Sequence, residues 1–265
     1  MHVVVCVKQV PDTTNVRINP ETNTLMREGV ESIVNPFDEY ALEQGLLLKD
    51  RLGAKLTVIS MGPPQATAVL REALARGADD AFLVSSRAFG GADTLATSYT
   101  ISQAIRKACG GVPDLVLFGK QAIDGDTAQV GPGVSEFLGV PLVTYVKGLE
   151  VRDGAYSVEC MMDDGIYSIE GRLPAVMTVV KDADAPRFAP LAGAIRAAKA
   201  PITVLNEKDV EADQSKIGLK GSPTKVVTIF PPPVKGGGEK VVAAGDAAAK
   251  AIVEFMARKG LVKHG

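Results

Sequence analysis

Short runs of β-branched and apolar residues alternate with segments of helical periodicity through most of this chain, and no other feature narrows the fold as far. Residues 3–7 (VVVCV), 55–61 (KLTVISM), 81–84 (AFLV), 114–118 (DLVLF), 142–146 (LVTYV) and 175–180 (AVMTVV) are apolar runs of strand length. Continuous apolar runs suit strands buried on both faces. Between them the spacing changes. Ala41, Gly45, Leu48 and Leu52 recur at helical intervals, as do Val69, Leu70, Ala73 and Leu74 within residues 65–76. Residues 94–109 and 127–138 read as helices too, the second with Val130, Val134, Phe137 and Leu138 on one face. Asn35 is a strong N-cap type, Pro36 suits a first helical position, and Asp38 and Glu39 favour the positive end of the helix dipole. Asp93 is placed to cap the helix that begins at Thr94. Strands alternating with helices of ordinary length predict an α/β fold with a doubly wound, mostly parallel sheet.

Two segments leave this pattern. Residues 149–151, 156–160 and 167–170 are β-rich and are separated by Arg152-Asp153-Gly154 and Asp163-Asp164-Gly165. Asp-Gly between such runs is a strong hairpin signal, so an antiparallel flap is expected over about residues 147–172. Near the start, residues 16–19 and 25–27 flank the turn-rich stretch 20–24, which suggests a short hairpin. After Arg187 the periodicity is lost: FAPLAGAIRAAKAP reads as a loop or short helix, and residues 202–238 are rich in Pro, Gly and Lys. Residues 241–260 form a last amphipathic pattern. The expected organisation is an α/β domain over residues 1–190 and a C-terminal arm over 191–265 that lies on a partner subunit.

Composition closes several functional classes. The net charge of -2 and 5% aromatic content leave little to neutralise phosphates or stack bases, so nucleic acid is not an expected partner. No apolar run reaches membrane-spanning length, and no membrane insertion is expected. Cys6, Cys109 and Cys160 form no CxxC pair and leave one thiol over, which suits reduced thiols in a cytoplasmic protein and no zinc site. The two histidines, His2 and His264, sit at the termini, so His-based acid–base chemistry is not expected. Any redox chemistry then belongs to a cofactor.

The stretch 114–139 offers a place for one. A strand, a Gly-containing loop and a helix start point backbone N–H groups at an anion, which makes residues 125–131 a candidate phosphate cradle. Gly125 as an ordinary turn residue and Asp126 as an ordinary N-cap are the competing reading. In a doubly wound sheet the ligand sits beyond the strand ends at the switch point. With the first strand central, that crevice is lined by residues 6–10, 35–38, 60–62 and 119–131. Neither a G-x-G-x-x-G fingerprint nor a Walker A loop is present.

Several motifs resemble the beta subunits of electron-transferring flavoproteins along nearly the whole chain. They are VKQVPD (7–12), NPFDEYALE (35–43), SMGP (60–63), REALARGAD (71–79), GKQAIDGDTAQVGP (119–132), PAVMTV (174–179) and RFAPLAGAIRAAK (187–199). The resemblance implies a Rossmann-like fold of the adenine-nucleotide alpha hydrolase type and a heterodimer with an alpha subunit that carries FAD. It implies nucleotide contacts from Cys6, Asn35, Pro36, Phe37, Asp38 and Met61. It implies further contacts from Gly125, Asp126, Thr127, Ala128, Gln129, Val130 and Gly131. Leu191 and Ala192 resemble the family's loop that docks on acyl-CoA dehydrogenases. FGGADTLATS (89–98) is closer to the flavin-bifurcating branch, which implies a second FAD held also by Gly90, Gly91, Asp93, Thr94 and Thr97. In that branch NADH is the donor, and ferredoxin or flavodoxin and an acyl-CoA dehydrogenase-type enzyme receive the electrons. In the ordinary branch the same site holds AMP and the protein only shuttles electrons.

Overall fold

A computed structural model describes residues 1–12, 17–18, 25–26, 32–225, 227 and 240–262. The chain divides into two compact units, Met1–Lys225 and Val226–Gly265. The first unit begins with β1 (His2–Cys6), β2 (Gln9–Pro11), β3 (Arg17–Ile18), β4 (Leu25–Met26), β5 (Ser32–Val34) and α1 (Pro36–Leu52). It continues with β6 (Lys55–Met61), α2 (Thr67–Arg76), β7 (Asp80–Val84), α3 (Thr94–Cys109), β8 (Leu115–Gly119) and α4 (Val130–Leu138). Then come β9 (Leu142–Arg152), β10 (Ala155–Met162), β11 (Gly165–Arg172), β12 (Ala175–Val179), α5 (Leu191–Lys199) and β13 (Thr203–Leu205).

Nine strands form one sheet in the order β11-β10-β9-β12-β8-β1-β6-β7-β13. Strand β1 is central, flanked by β8 and β6, all parallel. The expected doubly wound, mostly parallel α/β sheet is therefore present, and its reason is visible along β1. Val3 and Val5 pack with Leu42, Leu46 and Leu70 of α1 and α2, while Val4 and Cys6 pack with Ile105 and Val134 of α3 and α4. Each fully buried aliphatic side chain contributes about 1.5–3 kcal/mol, so a run that is apolar at every position is stable only between two helical layers.

The flap forms as expected, with one difference. β9 is a single strand of 11 residues, not two. Its first half pairs parallel with β12 and its second half antiparallel with β10. Lys147 and Gly148 interrupt the apolar run, which hides the continuity in the sequence. Tyr145 adopts φ 60 near a register shift, where the strand passes from one partner to the other. Asp153 (φ 51) and Gly154 (φ 75) make the first hairpin turn, as the Asp-Gly pair requires.

Helix boundaries differ in instructive places. The helix expected from Thr127 starts at Val130, because Asp126 (φ 53) and Ala128 (φ 55) are left-handed and cannot begin a helix. The segment expected to open at Gln65 passes first through a 3-10 turn, Pro64–Ala66. The boundary expected at residue 190 lies instead at Lys225, since α5 and β13 belong to the first compact unit and β13 joins β7 at the sheet edge. In the second unit, α6 (Asp246–Arg258) is shorter than the expected 241–260, and none of its residues is buried. Strands β3 and β4 pair antiparallel as the early hairpin would; its turn and residues 228–239 lie outside the described residues. The three cysteines are free thiols.

Candidate functional site

A cavity of about 1300 Å³ opens beyond the C-terminal ends of β1, β6, β7 and β8. Its floor is apolar: Cys6, Ile59, Met61, Ile101 and Phe118 come from strands and helix faces that already belong to the core. Burial, reinforced by Asp38, pushes the Cys6 thiol well above its usual range, so it stays protonated and acts as apolar surface. Of the residues singled out in the sequence, Cys6, Asp38, Met61, Gly90, Gly91, Asp93, Thr94 and Thr97 line this cavity. So do Gly125, Asp126, Thr127, Ala128, Gln129, Val130 and Gly131. Asn35, Pro36 and Phe37 do not.

Of these, Asn35 has a different task, which it shares with Asp38. Asn35 does not cap α1 with its side chain. Its Nδ2 donates to the Gln121 carbonyl at 2.8 Å, and its Oδ1 accepts from the Ile123 N–H at 3.1 Å. Asp38 is buried and accepts from the Lys8 N–H at 2.7 Å and the Gly119 N–H at 3.1 Å, joining the diverging ends of β1 and β8. Burial raises its carboxyl to about 7, against the pull of those amides. Lys8 Nζ pairs with Asp124 at 2.7 Å. Gly119 must be glycine here, because a Cβ would stand 2.4 Å from Asp38 Oδ1 and 2.6 Å from the Phe37 carbonyl carbon. The junction of β5 and α1 thus fixes the start of the 119–131 loop from below.

That fixed loop carries the cradle. Among the described residues, the amides of Thr127, Ala128, Gln129, Val130 and Gly131 have no protein partner. Left-handed Asp126 and Ala128 leave successive N–H groups unspent, in the manner of backbone anion nests, next to the N-terminus of α4. Non-glycine residues at positive φ cost about 1–3 kcal/mol and persist where the surroundings over-determine them. Asp126 is not a cap; its Oδ1 accepts from Gln121 Nε2 at 2.7 Å. Gln129 Oε1 accepts from Thr94 Oγ1 at 3.2 Å, tying this rim to the next. Gly131 lets α4 approach the sheet, since a Cβ would meet Thr178 Cγ2 at 2.7 Å.

The second rim is the loop after β7. Asp93 caps α3 as expected, accepting from the Leu95 and Ala96 amides at 3.0 and 3.1 Å. Its other oxygen accepts from the Thr224 N–H and hydroxyl at 3.0 and 2.8 Å, while the Asp93 N–H donates to Ser222 Oγ at 2.8 Å. The Leu219 N–H donates to the Gly90 carbonyl at 3.0 Å, and Gly91 (φ +70) packs against Leu219. The positive φ of its own turn favours glycine at 91, and a Cβ there would press on Leu219 at 3.3 Å. Residues 217–224 form a strap over this rim, and Pro223 and Thr224 line the cavity. Nothing local in the sequence points to the strap. Lys8 and Lys120 reach the cavity wall from the expected lining segments 6–10 and 119–131, and Arg87 reaches it from outside them. Lys8 and Lys120 lie inside the motifs VKQVPD and GKQAIDG, so their type and place were readable.

A separate surface lies on α5. Leu191 is 78% exposed and Ala192 is exposed, and Phe188 and Ile195 stand in water beside them. No helix among the described residues is long and apolar enough to cross a membrane.

Known proteins are similar to this chain in sequence. The electron transfer flavoprotein domain family matches residues 22–210. The electron transfer flavoprotein subunit beta of Clostridium acetobutylicum is 50% identical over 241 residues, 91% of this chain and 92% of that protein. The caffeyl-CoA reductase-Etf complex subunit CarD of Acetobacterium woodii is 49% identical over 242 residues, 91% and 92% of the two chains. Protein FixA of Azotobacter vinelandii is 44% identical over 269 residues, covering 100% and 96%.

Proposed function

The chain belongs to the electron transfer flavoprotein family as a beta subunit, and from that premise we propose that it is the NADH-oxidising subunit of a flavin-bifurcating complex. In this reading the cavity holds FAD. Electrons from NADH go to ferredoxin or flavodoxin and, through an alpha subunit carrying its own FAD, to an acyl-CoA dehydrogenase-type enzyme. The protein works in the cytoplasm.

The observation that carries the reading is the union of two rims in one cavity. The cradle offers unpartnered amides suited to a pyrophosphate. The Gly90–Thr97 side extends the space, and the whole exceeds the ~300–1000 Å³ of ordinary small-molecule sites. A mononucleotide needs one anion site and one base pocket; a dinucleotide uses both rims. When bound, the flavin supplies hydride and single-electron chemistry. The chain's residues bind and orient. Thr127, Ala128, Gln129, Val130 and Gly131 would hold phosphate oxygens through their amides. Thr94 and Thr97 would offer hydroxyls to a ring edge, and Cys6, Met61 and Phe118 would give it a dry floor. Asn35 from outside the cavity, and Asp38 from its wall, keep the cradle in shape.

Cofactor content after acid release from the purified alpha–beta complex tests this. Two FAD and no AMP are expected; one FAD and one AMP would make this the AMP-binding, non-bifurcating kind of beta subunit. The CarD relative is named as part of a reductase–Etf complex, which supports a dehydrogenase-type partner seated on Leu191. The exposed apolar side chains of α6, Ile252, Val253 and Phe255, support the second unit as a seat for the alpha subunit. A chain ending at Lys225 is expected to keep the cavity and to lose co-purification with alpha. Undiminished co-purification would remove that role from the second unit.

A further inference from the structure

The segment leading into α5 combines exposure with rigidity. Phe188 is 96% exposed, Leu191 78% and Ile195 58%. Apolar side chains so placed are ordinarily on mobile loops, because nothing buries them. Here the backbone beneath them is fixed. The Arg187 guanidinium grips the buried Glu43 carboxylate through Nε and Nη2 at 3.0 and 2.8 Å, and the Arg187 N–H donates to the same group at 3.0 Å. Nη1 reaches Asp50 at 2.8 Å. Upstream, Gln44 Nε2 donates to Asp184 at 3.0 Å. Downstream, Arg71 donates to the Ala197 and Ala200 carbonyls, and Arg196 to the Leu74 carbonyl at 3.1 Å. Gly193 sits so close to α2 that a Cβ would fall 2.1 Å from the Ala75 carbonyl oxygen.

An exposed ion pair contributes little to stability. This one is different in kind: Glu43 is buried and spends both oxygens on a single arginine, whose planar fork lysine cannot reproduce. Its geometric effect falls on residue 188, the next in the chain. Binding normally costs the ordering of interface side chains and loops, and rigid presentation lowers that cost. We infer that the Glu43–Arg187 pair is a positioning device for docking, which holds Phe188 and Leu191 ready for an acyl-CoA dehydrogenase-type partner, and that Phe188 is a second anchor beside Leu191. The inference rests on the docking reading of Leu191 given above.

The test uses the alpha–beta complex and a purified acyl-CoA dehydrogenase that the wild-type complex reduces with saturation. Its readouts are the Kd by calorimetry, KM and kcat for that enzyme, FAD content and thermal unfolding. Phe188→Ala and Leu191→Ala are each expected to raise Kd and KM about tenfold at unchanged kcat and FAD content. Arg187→Lys is expected to raise them about fivefold in the wild-type background, but less than twofold when Phe188 and Leu191 are already alanine, the non-additivity of a shared device. Asp50→Asn, which trims only the exposed end of the fork, is expected to give about a twofold rise, and it decides the matter if Arg187→Lys fails to fold. If Leu191→Ala leaves Kd and KM unchanged, the docking reading itself falls. If Leu191→Ala acts but Arg187→Lys and Asp50→Asn do not, only the positioning role is overturned. An Arg187→Lys effect that adds fully to the double alanine variant overturns it as well, because the pair would then act on something other than the ridge.

Discussion

The two rims of the cavity are held in opposite ways. The cradle loop is anchored by side chains buried beneath it, Asn35 and Asp38, from the segment that immediately opens α1. The rim at Gly90–Thr94 is anchored from above by a strap whose residues come far later in the chain, through Asp93 and Thr224. The first arrangement is part of the core and forms when the core forms. The second depends on a surface segment that ends where the first compact unit ends, at Lys225. A preformed nest of free amides beside a rim closed by a separable strap suits the proposed ligand, held at one end by phosphate and at the other by its ring.

The sharpest way to break the contrast is Gly119→Ala. Its Cβ collides with Asp38 and with main chain that cannot move aside, so a loss of about 3 kcal/mol is expected in urea unfolding, with loss of the nucleotide that the proposed function places in the cavity. Gly119→Ala at wild-type stability would mean the floor is soft. Asn35→Ala strands the Gln121 carbonyl and the Ile123 N–H, and about 2 kcal/mol should go.

Asp38 sharpens the contrast through pH. Its carboxyl, raised to about 7 by burial, titrates near 4 in the unfolded chain. The folded form therefore binds the extra proton, its stabilising effect is complete at low pH, and it is lost as pH rises through 7. Stability of the nucleotide-free protein should fall by about 1.4 kcal/mol between pH 6 and pH 8 on this account, and Asp38→Asn should flatten that slope. An equal slope in the variant would place the titration elsewhere. The smallest effect belongs to the strap. Thr224→Val removes the hydroxyl bond to Asp93 but keeps the backbone one, at about 1 kcal/mol. It should speed amide exchange at Leu219 and Thr224 about fivefold while leaving Gly119 and Ile123 unchanged. Equal acceleration at both rims would show that they are one body.

The parallel core was readable because strands buried on both faces carry no polar positions, and Asp93 was readable as a cap because its chemistry is local. The start of α4 was not, because the left-handed residues are Asp126 and Ala128 and not glycines, so no residue type announced the turn. Asn35 and Asp38 looked like helix-start residues and were placed correctly, but Asn35 bonds a carbonyl 86 positions away and Asp38 an amide 81 positions away. The strap was invisible for the same reason: Asp93 and Thr224 are 131 positions apart. Periodicity reports what a segment buries, not which distant backbone its polar side chains will meet. The division at Lys225 is not legible in the sequence, because the Pro-, Gly- and Lys-rich composition after residue 202 masks a short edge strand, β13.

The continuity of β9 bears on the order in which the sheet can assemble. Strands β9, β10 and β11 are joined by tight turns, so their pairing closes loops of a few residues, whereas setting Val3 beside Leu115 closes more than a hundred. Local closures are fast and distant ones slow. Since β9 runs unbroken from the flap into the parallel sheet, the early meander leaves Leu142 to Val146 as a formed edge on which β12 can add. Pulse-labelled exchange during refolding should then protect Val158 and Leu149 first, β12 next, and the β1–β8 pairing last.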